Sequence, residues 1–336
     1  TTSDTEVVAH LVKRSKLDTL EDRIADSLAR LVGAFAFLFL TEDTLFVAVD
    51  PHGLRPLSLG KTPDGGIVFA SETCAFDIVG AEFIRDIEPG ELVTITEHGM
   101  SSRQYMEPRE RAMCSMEYIY FSRPDSIIDG VNVHTARKAL GKKMYEEAPV
   151  EADVVTGVPD SSISAAIGYA EASGIPYEMG LIKNRYVGRT FIQPSQELRE
   201  RGVKMKLSAL RGVVQGKRVI MVDDSIVRGT TSRRIVGLLR EAGATEVHVR
   251  ITAPPITNPC YYGIDTSSKD ELISARLMPE EIRQEIGADS LEFLTVPGMV
   301  DAIDRPFEGP LKGQCTACFT GEYPTPLGSL ELEAKL

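Results

Sequence analysis

The sequence predicts an α+β N-terminal part followed by an α/β part with a mostly parallel sheet. Three observations carry this reading. Helical spacing near the start gives way to a series of short β-rich runs, and strands alternate with helices from about residue 150 onward. A chain of 336 residues with 43% hydrophobic composition is also long enough to bury two cores. The division falls at residues 1–110 and 111–336.

In the first part, "DTEVVAHLVKRS" and "LEDRIADSLARLV" carry apolar residues at helical spacing, while "AFAFLFL", "LFVAVD", "IVFASE" and "ELVTITEHG" read as strands. Turn signals such as "PHG" and "PDGG" separate them. In the second part, "ADVVTGVPD", "RVIMVDD" and "EVHVRI" are strands, and the helical runs "SISAAIGYAEASG" and "TSRRIVGLLREAGA" follow the first two. Such alternation implies a parallel sheet covered on both faces, with ligands beyond the carboxyl ends of its strands. Asp160, Asp223 and Asp224 stand at those ends. The tail "FTGEYPTPLGSLELEAKL" reads as a poorly packed end.

Charge and patterning exclude several classes. A formal net charge of -12 argues against a nucleic-acid binder, whose affinity comes from Lys and Arg neutralising phosphates. The longest apolar run, residues 31–40, has half the length that a bilayer crossing requires, and no basic and apolar leader opens the sequence. A soluble cytoplasmic protein is expected. Five cysteines, an odd number, suit a reducing compartment with thiols kept for packing or metal.

The stretch "VIMVDDSIVRGTT" ends a strand in two carboxylates and continues into a helix start. Its loop offers backbone N–H groups, the hydroxyls of Ser225, Thr230 and Thr231, and Gly229, which tolerates positive φ. That is a phosphate cradle, although neither the GK[ST] ending nor the GxGxxG spacing of nucleotide loops is present. Two carboxylates beside it can accept bonds from sugar hydroxyls or hold Mg²⁺. A phosphorylated sugar satisfies both halves. The plain structural alternative is an Asp pair capping a strand, followed by a Thr-rich helix N-cap.

Cys315 and Cys318 form a CxxC pair, with Cys114 and Cys260 isolated. Four such ligands admit zinc, an iron–sulfur cluster or a redox pair, and chemistry alone favours zinc. Cys74 reads as a small core residue.

The stretch "VIMVDDSIVRGTT" resembles the phosphoribosyl pyrophosphate (PRPP) signature of type I phosphoribosyltransferases. "CSMEYIYFSRPDS", "TGVPDSS", "LIKNRYVGRTFIQPSQ" and "PPITNPCYYGIDT" resemble one family among them, the glutamine PRPP amidotransferases, and the likeness runs along the whole chain. The resemblance implies an N-terminal-nucleophile glutaminase part before the transferase part, and transfer of ammonia to PRPP in the first committed step of purine synthesis. Asp223 and Asp224 would face ribose hydroxyls and metal, Ser225, Arg228, Gly229, Thr230 and Thr231 would hold the 5-phosphate, and Asp160, Ser161 and Ser162 would form the pyrophosphate loop. Ser161 would join the aspartates around Mg²⁺; without the other motifs, Ser161 or Ser162 reads as a helix N-cap.

Lys183 to Lys206 holds seven basic residues, Lys183, Arg185, Arg189, Arg199, Arg201, Lys204 and Lys206, against Glu197 and Glu200. In an acidic chain this reads as a mobile loop closing over pyrophosphate, as the family has here, and Lys183 is the first choice for a phosphate contact. A Bacillus-like branch of the family has cysteines in the settings of Cys114, Cys260, Cys315 and Cys318, which shifts the expectation to a [4Fe–4S] cluster. Asp4 matches the family's glutamine-binding aspartate. The family's N-terminal cysteine nucleophile is not found in "TTSDTEVVAHL", so a partial glutaminase part and no hydrolysis of glutamine are expected. The resemblance further implies a homotetramer inhibited by purine nucleotides. Two rivals stand beside it: a purine-base salvage phosphoribosyltransferase, and a regulator that binds PRPP without turnover.

Overall fold

The computed structural model describes residues 5–184, 207–266 and 268–327. Asp4 and the basic residues Arg185, Arg189, Arg199, Arg201, Lys204 and Lys206 lie outside them.

The N-terminal part stacks helices on one sheet and that sheet on a second. Helices α1 (Thr5–Arg14) and α2 (Leu20–Leu28) precede strands β1 (Ala36–Leu40) and β2 (Leu45–Val49), as their periodicities predict. Thr19 caps α2 by accepting Asp22 N–H at 3.0 Å. β1 and β2 pair with β6 (Glu91–Thr96) and β7 (Gly99–Gln104) in the antiparallel order β1-β2-β6-β7. A smaller sheet orders β4 (Ile67–Ala70), β3 (Ser58–Lys61) and β5 (Glu82–Asp86), with helix α3 (Cys74–Val79) between β4 and β5 in the chain. Alternation along β2 explains the layers: Phe46 and Ala48 pack with Ile24 and Leu28 of α2, whereas Val47 and Val49 pack with Leu57 and Leu59 beside the second sheet. The periodicity missed β3, β5 and β7, because "SLGK" and "GMSSRQ" are not apolar and β5 is largely exposed.

The C-terminal part is built on four parallel strands, ordered β11 (Val154–Gly157), β14 (Arg218–Asp223), β15 (Glu246–Ile251) and β16 (Ser290–Phe293). The order β8 (Met113–Cys114), β9 (Ile127–Ile128), β10 (Val131–Asn132) precedes it, and β12 (Leu181–Lys183), β13 (Leu207–Ala209) and β17 (Gln314–Cys315) complete the strands. Helix α4 (Val133–Glu147), capped by Asn132, packs on α5 (Ile163–Ser173). Both helices lack a Cβ where they meet: one added at Gly141 would overlap the Ala165 carbonyl, and one at Gly168 would overlap the Lys138 carbonyl. α5 in turn packs on β11 and β14. β16, which the sequence reading did not include, follows the helix Pro279–Ile286 and shows little alternation in "SLEF".

The expected loose tail is corrected as far as residue 327. Phe319 is buried, Tyr323 Oη donates to Pro259 C=O at 2.7 Å, and the hydroxyls of Tyr262 and Thr325 bond at 2.9 Å. "FTGEYPTPL" fails as a signal of a poorly packed end because Tyr323 packs on Tyr261 and Tyr262.

Backbone hydrogen bonds join the two parts. The carbonyls of His52 and Leu54 accept from the amides of Ala112 and Cys114 at 2.9 and 3.2 Å, and just before the boundary Pro51 C=O accepts Arg109 N–H at 2.9 Å. The turn that presents them is organised by buried Asp50, which accepts from the amides of Phe35, His52 and Leu54. Burial pushes this carboxyl up to about 6 despite those bonds. Among the described residues no helix is long and apolar enough to cross a membrane.

Candidate functional site

β14 carries the acidic pair to its place because Val219–Val222 are buried, leaving Asp223 and Asp224 at the strand's carboxyl end. Both carboxyls are 7% exposed. Ser162 Oγ donates to Asp223 at 3.0 Å, Ser225 Oγ donates to Asp224 at 2.8 Å, and Ser161 Oγ donates to Asp224. Burial drives Asp223 well above the usual carboxylate range, and the charge of Asp224 adds to it. Burial also raises Asp224, against the bonds from Ser161 and Ser225 and the field of Arg137. Two buried like charges with few donors leave the site short of positive charge.

Ser162 is the N-cap residue of α5, as the plain reading had it, yet its side chain makes no capping bond and serves the aspartates instead. The Thr-rich N-cap is likewise corrected. Gly229, at φ 78, caps the helix Thr230–Glu241, and neither threonine accepts a capping bond there. The positive φ at Gly229 requires glycine, and a Cβ there would also displace the Ile273 terminal methyl 2.7 Å away. The first bond of that helix runs from Arg233 N–H to Gly229 C=O, leaving the preceding amides without helical acceptors.

These residues open on one cavity of about 710 Å³, lined by Ser161, Lys183, Asp223, Asp224 and the run 225–232. Lys183 ends β12 and pairs with exposed Asp160 at 2.6 Å. Asp160 and Ser162 are not among the residues lining the cavity: Asp160 is exposed on Lys183, and Ser162 is buried with its hydroxyl on Asp223. Arg228 lines it and also reaches Glu271.

The same cavity is lined by Cys114, Cys260, Cys315 and Cys318. β17 pairs with β8 so that Cys315 stands opposite Cys114, and the Cys318 carbonyl accepts from the amides of Thr257 and Asn258 at 3.0 Å, which draws in the Cys260 segment. Burial pushes the Cys114 thiol up to about 12 and Cys315 up to about 11. Cys318 is raised by burial and by the other three thiols together. Among the described residues no three His, Cys, Asp or Glu side chains are arranged to hold a metal ion. Cys74 lies apart, buried in the helix Cys74–Val79.

Sequence reasoning missed Arg137. It is 2% exposed, donates to the carbonyls of Tyr118 and Ser122 at 2.7 and 2.8 Å, and supports the ionised form of Asp224. The signal was present: Val133, Arg137, Leu140 and Met144 form the buried stripe of α4, and a cation in an apolar stripe needs a partner. His134 is exposed and bonded to Ser164, and His248 bonds Ser290 and Glu246, so neither faces the cavity.

Residues 1–77 match a glutamine amidotransferase domain and residues 125–273 a phosphoribosyl transferase domain. An amidophosphoribosyltransferase of Bacillus subtilis (strain 168) is 67% identical over 325 residues, covering 97% of this chain and 68% of that protein. One from Staphylococcus aureus (strain N315) is 55% identical over 333 residues, covering 99% of this chain and 67% of that protein. A solved glutamine PRPP amidotransferase from B. subtilis, complexed with ADP and GMP, superposes with a TM-score of 0.92 at 67% identity over 97% of this chain and 71% of that one.

Proposed function

The chain belongs to the amidophosphoribosyltransferases, and from that premise we propose how its residues divide the work of the reaction. The reaction transfers ammonia to the anomeric carbon of PRPP, displaces pyrophosphate and gives 5-phosphoribosylamine, opening purine biosynthesis. The domain matched by residues 1–77 makes glutamine the proposed source of that ammonia.

One observation carries the residue assignment: two buried carboxyls and a glycine-gated helix start share one cavity. The 5-phosphate rests on Ser225, Gly229, Thr230, Thr231 and the amides around them, with Arg228 at the rim. Asp223 and Asp224 accept from the ribose hydroxyls. The pair also fits Mg²⁺, because buried carboxyls raised by their own burial gain most from a hard divalent cation, and Ser161 supplies a third oxygen. When bound, that ion offsets charge on the departing pyrophosphate. Lys183 exchanges Asp160 for the pyrophosphate, which is electrostatic catalysis at a cation-like sugar. Neutral ammonia is itself a nucleophile, so no protein base is required.

The four cysteines fit a [4Fe–4S] cluster better than zinc. Zn–S bonds of about 2.3 Å would draw the thiolates to within about 4 Å of one another. Here all four line one cavity and the other three act on Cys318, while among the described residues no three are gathered as a single ion requires. The cluster would tie three distant segments together and take no part in the transfer. The same reading makes the protein a cytoplasmic homotetramer inhibited by purine nucleotides.

Pyrophosphate release from PRPP and Mg²⁺ is expected with ammonium and not with hypoxanthine or adenine. Release with a base alone would indicate salvage, and PRPP binding without release would indicate a regulator. Anaerobically isolated protein is expected to hold about four iron and four sulfide per chain; one zinc and no sulfide would replace the cluster by zinc.

A further inference from the structure

We propose that Arg55, from the N-terminal part, positions the four-cysteine centre of the transferase part and offsets its negative charge. The inference rests on the reading of that centre as an iron–sulfur cluster. Arg55 follows Leu54, whose carbonyl accepts Cys114 N–H at 3.2 Å. Its Nη2 donates to Tyr262 C=O at 2.8 Å, and Tyr262 N–H in turn donates to Cys260 Sγ at 3.4 Å. Its Nη1 pairs with Glu117 Oε1 at 3.0 Å, and the guanidinium lies 5.8 Å from the centre of the Phe121 ring. One side chain, 20% exposed, is therefore held between the segments that bring Cys114 and Cys260. Leu54, Tyr262 and Cys315 share an apolar cluster beneath it.

Four thiolates around an iron–sulfur core carry net negative charge, and burying it without a counter-charge is costly. Glu117 neutralises only part of the guanidinium's field, since a second face of the fork is turned to a neutral carbonyl. A cation there favours the reduced, more negative form of the cluster and so raises its reduction potential. Lysine would keep the charge and lose the fork that spans Glu117 and Tyr262.

The test compares anaerobically isolated wild type, Arg55→Gln and Arg55→Lys, with the distant surface substitution Arg103→Gln as control. Iron and sulfide content, midpoint potential and the rate of visible bleaching in air are measured. Arg55→Gln is expected to move the potential to a more negative value and to bleach several-fold faster. Arg55→Lys should keep most of the potential yet still bleach faster, and Arg103→Gln should match wild type. Unchanged potential and bleaching in Arg55→Gln would overturn the proposal. If that variant does not accumulate, an unchanged bleaching rate in Arg55→Lys overturns it. Wild-type protein without iron and sulfide would instead remove the cluster reading itself.

Discussion

Asp224→Asn is expected to lower PRPP-dependent pyrophosphate release by roughly 10²–10³-fold, the usual loss for one preorganised electrostatic group, while raising thermal stability at neutral pH. Both effects come from one cause. Burial holds the Asp223 and Asp224 carboxyls above their ordinary range, so the native fold prefers them protonated. For groups shifted in this direction, the favourable contribution is complete below the unfolded value of about 4 and is lost as pH rises through the folded value. Asparagine removes that loss: its Oδ1 still accepts from one of the two serines, and its side-chain N–H can donate to the hydroxyl oxygen of the other. Melting curves in the absence of magnesium should therefore show the variant above wild type at pH 8 and level with it near pH 4. Adding Mg²⁺ should stabilise wild type more than the variant. A variant less stable than wild type at pH 8 would mean that the aspartates serve internal contacts rather than a ligand.

Gly141→Val is expected to destabilise the transferase part by about 3 kcal/mol or more. α4 and α5 touch backbone to backbone at Gly141 and Gly168, and the overlapped group is a main-chain carbonyl that cannot rotate away. Whatever separates the helices also moves Ser161 and Ser162, which lead into α5 and hold the aspartates. Weaker PRPP binding should thus accompany the lower urea midpoint. Gly237→Ala is the matched control: nothing lies within 4 Å of a Cβ there, so it should be neutral or stabilising by up to about 1 kcal/mol. Equal effects at the two positions would show that helix propensity, and not the crossing, sets the cost.

The parallel sheet was legible because β11, β14 and β15 are buried apolar strands bounded by turn residues, and the acidic pair was legible because it interrupts such a strand at its end. The cysteine centre was legible only as residue types. Spacing along the chain cannot show that β17 pairs with β8, and that pairing is what sets Cys315 against Cys114. Arg55 and Glu117 were invisible for the same reason, being 62 residues apart and joined through tertiary contacts alone. β3, β5 and β7 escaped because neighbouring strands, more than their own side chains, stabilise them.

The main-chain bonds from the 51–54 turn to residues 109, 112 and 114 have a mechanical meaning. Side-chain latches can be sheared one at a time, but two peptide groups across the boundary, backed by a third just before it, engage like teeth on a rack. A tilt of the N-terminal layers would drag Cys114 with it, and through the strand paired to Cys114 would tug at the lining of the cavity that also holds Asp223 and Asp224. The two halves are thus geared to each other rather than hinged.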